Sequence, residues 1–157
     1  MNKRLSLFFK PLVVTSMMLL TTQGISADEK AKAASVDYRQ STFKMVKWHM
    51  GPMAGMVKGK VAYDAAAFSS HAGAMASLSH LAENGFLTES PAENSRSKAN
   101  IWKNKADFDK KMQAFVDASD KLVVAAKSNN LDTIKPAFGA LGKSCKGCHD
   151  EYRAKKK

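Results

Sequence analysis

The chain has 157 residues, 25 of them basic and 14 acidic, giving a formal net charge of +11. Two cysteines are too few for a disulfide scaffold. No patch interleaves basic with aromatic residues, so a nucleic-acid partner has little support, and the charge favours acidic partners instead.

The first 27 residues read as an export leader. Lys3, Arg4 and Lys10 form a positive start, Leu12 to Leu20 is mostly apolar, and Gly-Ile-Ser-Ala ends at Ala27, the expected cleavage point. The apolar run is shorter than the ~20 residues a spanning helix needs, and no later segment serves as a membrane anchor. Removing the leader's three basic residues lowers the charge of +11 to +8 and leaves one domain, 28–157. The expected location is the periplasm.

Hydrophobic periodicity predicts four helices and almost no strand pattern. The first spans about 30–58, with Val36, Arg39, Phe43, Val46 and Met50 at helical spacing, a bend at Gly51-Pro52 and a stop at Gly59. Asp64 caps a second helix ending near Glu83, whose inward stripe is Phe68, Ala72, Met75, Leu78 and Ala82. Residues 84–103 lack periodicity and read as a loop pinned at its far end by Ile101 and Trp102. The third helix, about 105–128, turns Phe108, Met112, Phe115, Leu122, Val123 and Ala126 inward. After Asn129-Asn130 a fourth runs from Asp132 into the lysine tail. The expected fold class is all-α, an antiparallel four-helix bundle.

The chemistry concentrates at residues 145–149, Cys-Lys-Gly-Cys-His, the attachment signature of c-type haem. Ile134, Phe138, Leu141, Cys145, Cys148 and Tyr152 repeat at four-three-four-three-four spacing and so share one helix face. Both thiols then point into the bundle, and His149, four residues after Cys145, reaches the same side. Three other readings compete: a disulfide, which would close a very short loop within a helix; zinc, which needs a fourth ligand; and a redox Cys-x-x-Cys, which should follow a strand.

The chain resembles the cytochrome c-prime family, the class II c-type cytochromes. The likeness rests on Tyr38-Arg39-Gln40-Ser41, Val57-Lys58-Gly59, Tyr63-Asp64-Ala65-Ala66, Ile101-Trp102, Ala137-Phe138, Cys145 to His149 and Tyr152-Arg153. It implies a left-handed bundle, a homodimer through the first two helices, and one covalent haem c on Cys145 and Cys148 with His149 as axial iron ligand. It further implies five-coordinate, high-spin iron that binds NO and CO, and a role in NO handling or electron transfer with an unidentified, acidic redox partner. Arg39 and Gln40 match propionate contacts, Ser95 or Arg96 a third. Phe43, where the family commonly has leucine, and Phe86 match haem-pocket positions. Arg153 sits beside the proximal face. The alternative is a six-coordinate, low-spin electron carrier, with Met50 the methionine nearest in register to Phe43. No distal histidine–arginine pair supports a peroxidase, so no enzyme is expected. His49, His71 and His80 read as surface or packing residues.

Overall fold

The computed structural model describes residues 26–155. All of the expected leader before Ser26, and Lys156 and Lys157 of the tail, lie outside them. Five helices are present among the described residues: α1 (Ala27–Val57), α2 (Ala65–Ala82), α3 (Asn100–Lys103), α4 (Lys105–Ala126) and α5 (Leu131–Tyr152), with a 3₁₀ turn at Glu83–Phe86. The four long helices form an antiparallel bundle. α1 packs on α2, α2 on α4 and α4 on α5, while α1 and α5 touch only sparsely.

Local chemistry sets the helix ends. Ser26 and Glu29 form a capping box, Ser26 Oγ accepting from the Glu29 amide at 3.1 Å. This starts α1 three residues before the expected Lys30, and the expected cleavage point after Ala27 falls inside the cap. α1 runs unbroken through Pro52 to Val57. It stops in a Schellman motif: Gly59 takes φ +68°, its amide donating to Met56 O and that of Lys60 to Gly55 O. Asp64 caps α2 as expected, accepting from the Ala67 amide at 2.9 Å. Asn129 adopts a positive φ in the turn, and Asn130 caps α5 through the Asp132 amide. α5 ends at Tyr152 instead of continuing into the lysines.

The predicted stripe of α2 is buried throughout. In α4 only Val123 of the predicted set is half-buried, and Ala118 and Ser119 join the core. α1 departs further from expectation. Val36 and Arg39 are buried, Phe43, Val46 and Met50 are half-buried, and Met53 and Met56 beyond Pro52 complete the core. Unbranched methionine fills such irregular gaps.

The stretch read as a loop contains the 3₁₀ turn and α3, and it is sewn to the end of α5. Ser97 pairs with Arg153, the Lys98 amide donates to Tyr152 O at 3.0 Å, and the Ala154 amide donates to Arg96 O at 2.8 Å.

Candidate functional site

The site lies where α1, the 85–99 stretch and α5 converge. On α5, Ile134, Phe138, Leu141 and Tyr152 are buried, and Cys145 and Cys148 between them are half-buried. Half-buried Phe43, Val46 and Met50 of α1 pack against the same core as the two cysteines. The middle of each stripe is therefore the least covered part of it, between two long helices that touch only sparsely.

Aromatic rings cross the bundle from α1 to α5. Phe43 meets Phe86 (centroids 6.2 Å), Phe86 meets Phe108 (4.8 Å), and Phe108 meets Tyr152 edge-on (5.2 Å). Trp102 Nε1 donates to the Phe86 carbonyl at 3.0 Å, which holds the 3₁₀ turn in place. Tyr152 donates from its hydroxyl to Asp107 at 2.7 Å, locking the cysteine-bearing end of α5 to α4.

Arg39 is the most informative side chain. It is 2% exposed, not a surface arginine. It donates to Ser90 Oγ (2.7 Å), the Ser90 carbonyl (2.6 Å), the Gly85 carbonyl (3.3 Å) and Ser95 Oγ (3.2 Å). Its charge centre lies 5.6 Å from the Phe86 ring and 5.8 Å from Trp102. Every acceptor is neutral, no ion pair includes it among the described residues, and its buried Nε has no partner. Burial lowers its pKa from the usual value. A buried guanidinium calls for a carboxylate. Gln40 donates to Asn94 O at 2.8 Å, so it too fixes this stretch.

Arg96 lies on the other side of the stretch, donating through Nε to Ala154 O at 2.8 Å. With His149, Asp150, Arg153, Ala154 and Lys155 it lines a cavity of about 480 Å³. His149 is exposed beside this cavity, unlike the half-buried cysteines it was expected to accompany; desolvation, then Arg153 and Arg96, lower its pKa, favouring the neutral imidazole that can bind a metal. Burial raises both thiols, Cys148 to about 11 although nearby Lys111 opposes the rise.

The competing readings of the cysteines lose ground on this geometry. Both are free, they lie inside a helix that follows another helix, and no group of three or more metal-binding side chains occurs among the described residues. Two inward thiols, an adjacent neutral imidazole, an apolar face between α1 and α5, and a buried arginine lacking its anion form the donor set of a haem carrying vinyl and carboxylate groups.

The family model described as Cytochrome C' matches residues 34–153. The chain belongs to the cytochrome c-prime family. Haem c is accordingly its cofactor, and the bundle is the family fold. The cytochrome c-prime of Shewanella frigidimarina is 45% identical, with TM-score 0.77 over 79% of this chain and 97% of that one. A variant of the Alcaligenes xylosoxidans protein in complex with nitric oxide is 38% identical, with TM-score 0.75 over 80% and 97%. A carbon monoxide-bound variant from that organism is 38% identical, with TM-score 0.74 over 79% and 97%.

The structure thus brings Arg39, Ser95, Phe43 and Phe86 together, and gathers His149, Arg96 and Arg153 at the end of α5. Sequence reasoning gave no site role to Ser90, the main acceptor for Arg39, or to Asp107, the anchor of Tyr152. Ser90-Pro91 is a turn signal, but nothing local points it at α1.

Proposed function

We propose that this protein is a periplasmic haem protein that reversibly binds NO and CO and turns over no substrate of its own. Cys145 and Cys148 hold the haem covalently and His149 is the sole protein ligand, leaving the iron five-coordinate and high-spin. The iron supplies gas binding and one-electron chemistry when haem is bound. The half-buried apolar face shared by Phe43 and the two cysteines, between sparsely touching α1 and α5, carries the reading.

Each residue has a physical task. Arg39, placed by Ser90 and Ser95, pairs with a propionate, with Gln40 beside it. Phe43, backed by Phe86, caps the sixth position with a wall that offers no hydrogen bond, so O₂ gains little stabilisation there while NO and CO need less. Arg153 and Arg96 place positive charge next to His149. The gas-bound relatives from Alcaligenes xylosoxidans support the assignment.

Among the described residues no helix is long and apolar enough to cross a membrane. Tyr38, Met45 and Trp48 of α1 and Leu81 of α2 are exposed, and Tyr38 donates to the Leu81 carbonyl. This apolar face suits a second copy of the chain in a homodimer, and the net positive charge suits an acidic redox partner. A second reading, the six-coordinate electron carrier, draws on Met50, which is half-buried against the same core as Phe43. The optical spectrum of the purified protein decides between them. Broad high-spin ferric and ferrous bands that shift on adding CO or NO are expected. Sharp low-spin bands indifferent to CO would refute the proposal.

A further inference from the structure

His49 of α1 and His71 of α2 are not separate surface residues. Their Nδ1 atoms face each other at 2.9 Å across the helix interface, rings edge to face with centroids 5.2 Å apart. Both rings are half-buried in the single chain, His49 lying about 40° around α1 from Met45 on the side proposed to meet a second copy, and two packed helices fix their spacing. His49 follows Phe43 by six residues and lies about 120° around α1 from it. The pair is therefore independent of the haem face.

We propose that His49 and His71 form a chelating site for a divalent transition-metal ion, with Cu²⁺ preferred. Two bonds of about 2.0–2.1 Å meeting at a right angle separate their donor atoms by about 2.9 Å, whereas a tetrahedral pair needs about 3.3 Å. The observed spacing matches adjacent corners of the tetragonal geometry that Cu²⁺ favours. Imidazole suits copper, and copper heads the affinity order of the first-row divalent ions. A hydrogen bond between the rings uses one Nδ1 lone pair. The donor Nδ1 of that bond carries a proton, which moves through water to Nε2 of the same ring when the ion binds; small ring rotations then turn both Nδ1 lone pairs toward one ion. No third protein ligand joins them among the described residues, so water completes the shell, and the site needs no second copy of the chain.

Cu²⁺ titration of the oxidised, haem-loaded protein tests this, read by calorimetry and by the copper electron paramagnetic resonance signal. One equivalent per chain should bind with hyperfine coupling to two imidazole nitrogens, and the haem bands should not move. His49→Ala and His71→Ala should each weaken binding at least about tenfold, since each removes one of two nitrogen donors. His71→Asn, which keeps a hydrogen-bonding side chain without an imidazole donor, should weaken it equally while holding the melting temperature. His80→Ala, at the separate His80–Asp120 pair, should change nothing. Equal binding in the His49→Ala/His71→Ala double variant would overturn the proposal. So would a parent protein that takes up no copper while His49→Ala lowers its melting temperature, because the pair would then be only a hydrogen-bonded tie between helices.

Discussion

Gly85 is where the sequence allows the 3₁₀ turn to lie against α1, and Gly85→Ala should separate them. A Cβ built there would fall 2.5 Å from Arg39 Cβ, 3.0 Å from its Cα and 3.1 Å from its N. The obstacle is helix backbone and the root of a side chain, so no rotamer change relieves it. Ordinary contact begins near 3.4 Å, so turn and helix must part by about 0.9 Å. Overpacking of this kind costs about 1–3 kcal/mol, or a fall in Tm of roughly 4–12 °C for a domain of this size. The shift would also pull the Gly85 carbonyl from Arg39, where the hydrogen bond is already 3.3 Å. Gly139 is the matched control, an exposed position in α5 with nothing within 4 Å of a built Cβ. Gly139→Ala should stabilise by about 0.5–1 kcal/mol through helix propensity. Thermal melts of the haem-loaded protein by far-UV circular dichroism measure both. Gly85→Ala at the parental Tm, or Gly139→Ala falling as far as Gly85→Ala, would refute the reasoning.

Arg39→Met keeps the length of the side chain but strands the carbonyls of Gly85 and Ser90 and the hydroxyl of Ser95; it should cost about 2–4 kcal/mol in urea unfolding. Phe43→Ala should raise CO and NO association rates by more than about tenfold by opening the wall over the sixth position; unchanged rates in stopped flow would sink that role. The Tyr152–Asp107 bond sets a pH window. Burial and then Asp107 raise the Tyr152 pKa to about 12, so its stabilisation is complete below about pH 10 and is lost as pH rises from there toward 12. The same bond lowers the Asp107 pKa, so its stabilisation is present above the ordinary carboxylate range and is lost as pH falls through the lowered value. Asp107→Asn should flatten both limbs of a Tm-against-pH profile. Amino-terminal sequencing of protein recovered from the periplasm should begin at Asp28; an intact Met1 would refute the leader.

The helices were legible because period alone carries them. The stripe from Ile134 to Tyr152 has one apolar or thiol side chain per turn, and any α-helix puts those on one side. Asp64 and Gly59 were legible because capping chemistry is local. The capping box at Ser26 was equally local but lies where an export leader was expected, and the leader reading concealed it. Arg39 could be placed near a propionate only through resemblance. Its burial depends on Ser90 and Ser95, more than fifty residues away in a stretch without period, and such long-range pairing leaves no mark on either segment. The clasp of Arg96, Ser97 and Lys98 on Tyr152 to Ala154 was invisible for the same reason. Its backbone hydrogen bonds could form with any side chains in those positions, and the Arg96 guanidinium reaches the Ala154 carbonyl only once the two segments have met.

That clasp also explains why one stretch serves both sides of the site. Residues 85–95 supply the acceptors that place Arg39, and residues 96–98 hold the end of α5 that carries His149. The guanidinium and the imidazole are therefore positioned by one continuous piece of backbone. Pinning that piece at Trp102 through the Phe86 carbonyl fixes both at once. A substitution at Trp102 should accordingly disturb the arginine network and the setting of His149 together, although Trp102 lies on neither α1 nor α5. Apart from Phe86, whose ring packs between Phe43 and Phe108, the stretch is held by hydrogen bonds whose geometry leaves little slack, and the coupling runs through them. The two-sided site is in this sense a single unit, with α1 and α5 as its walls and the connection between α2 and α4 as the part that sets their chemistry.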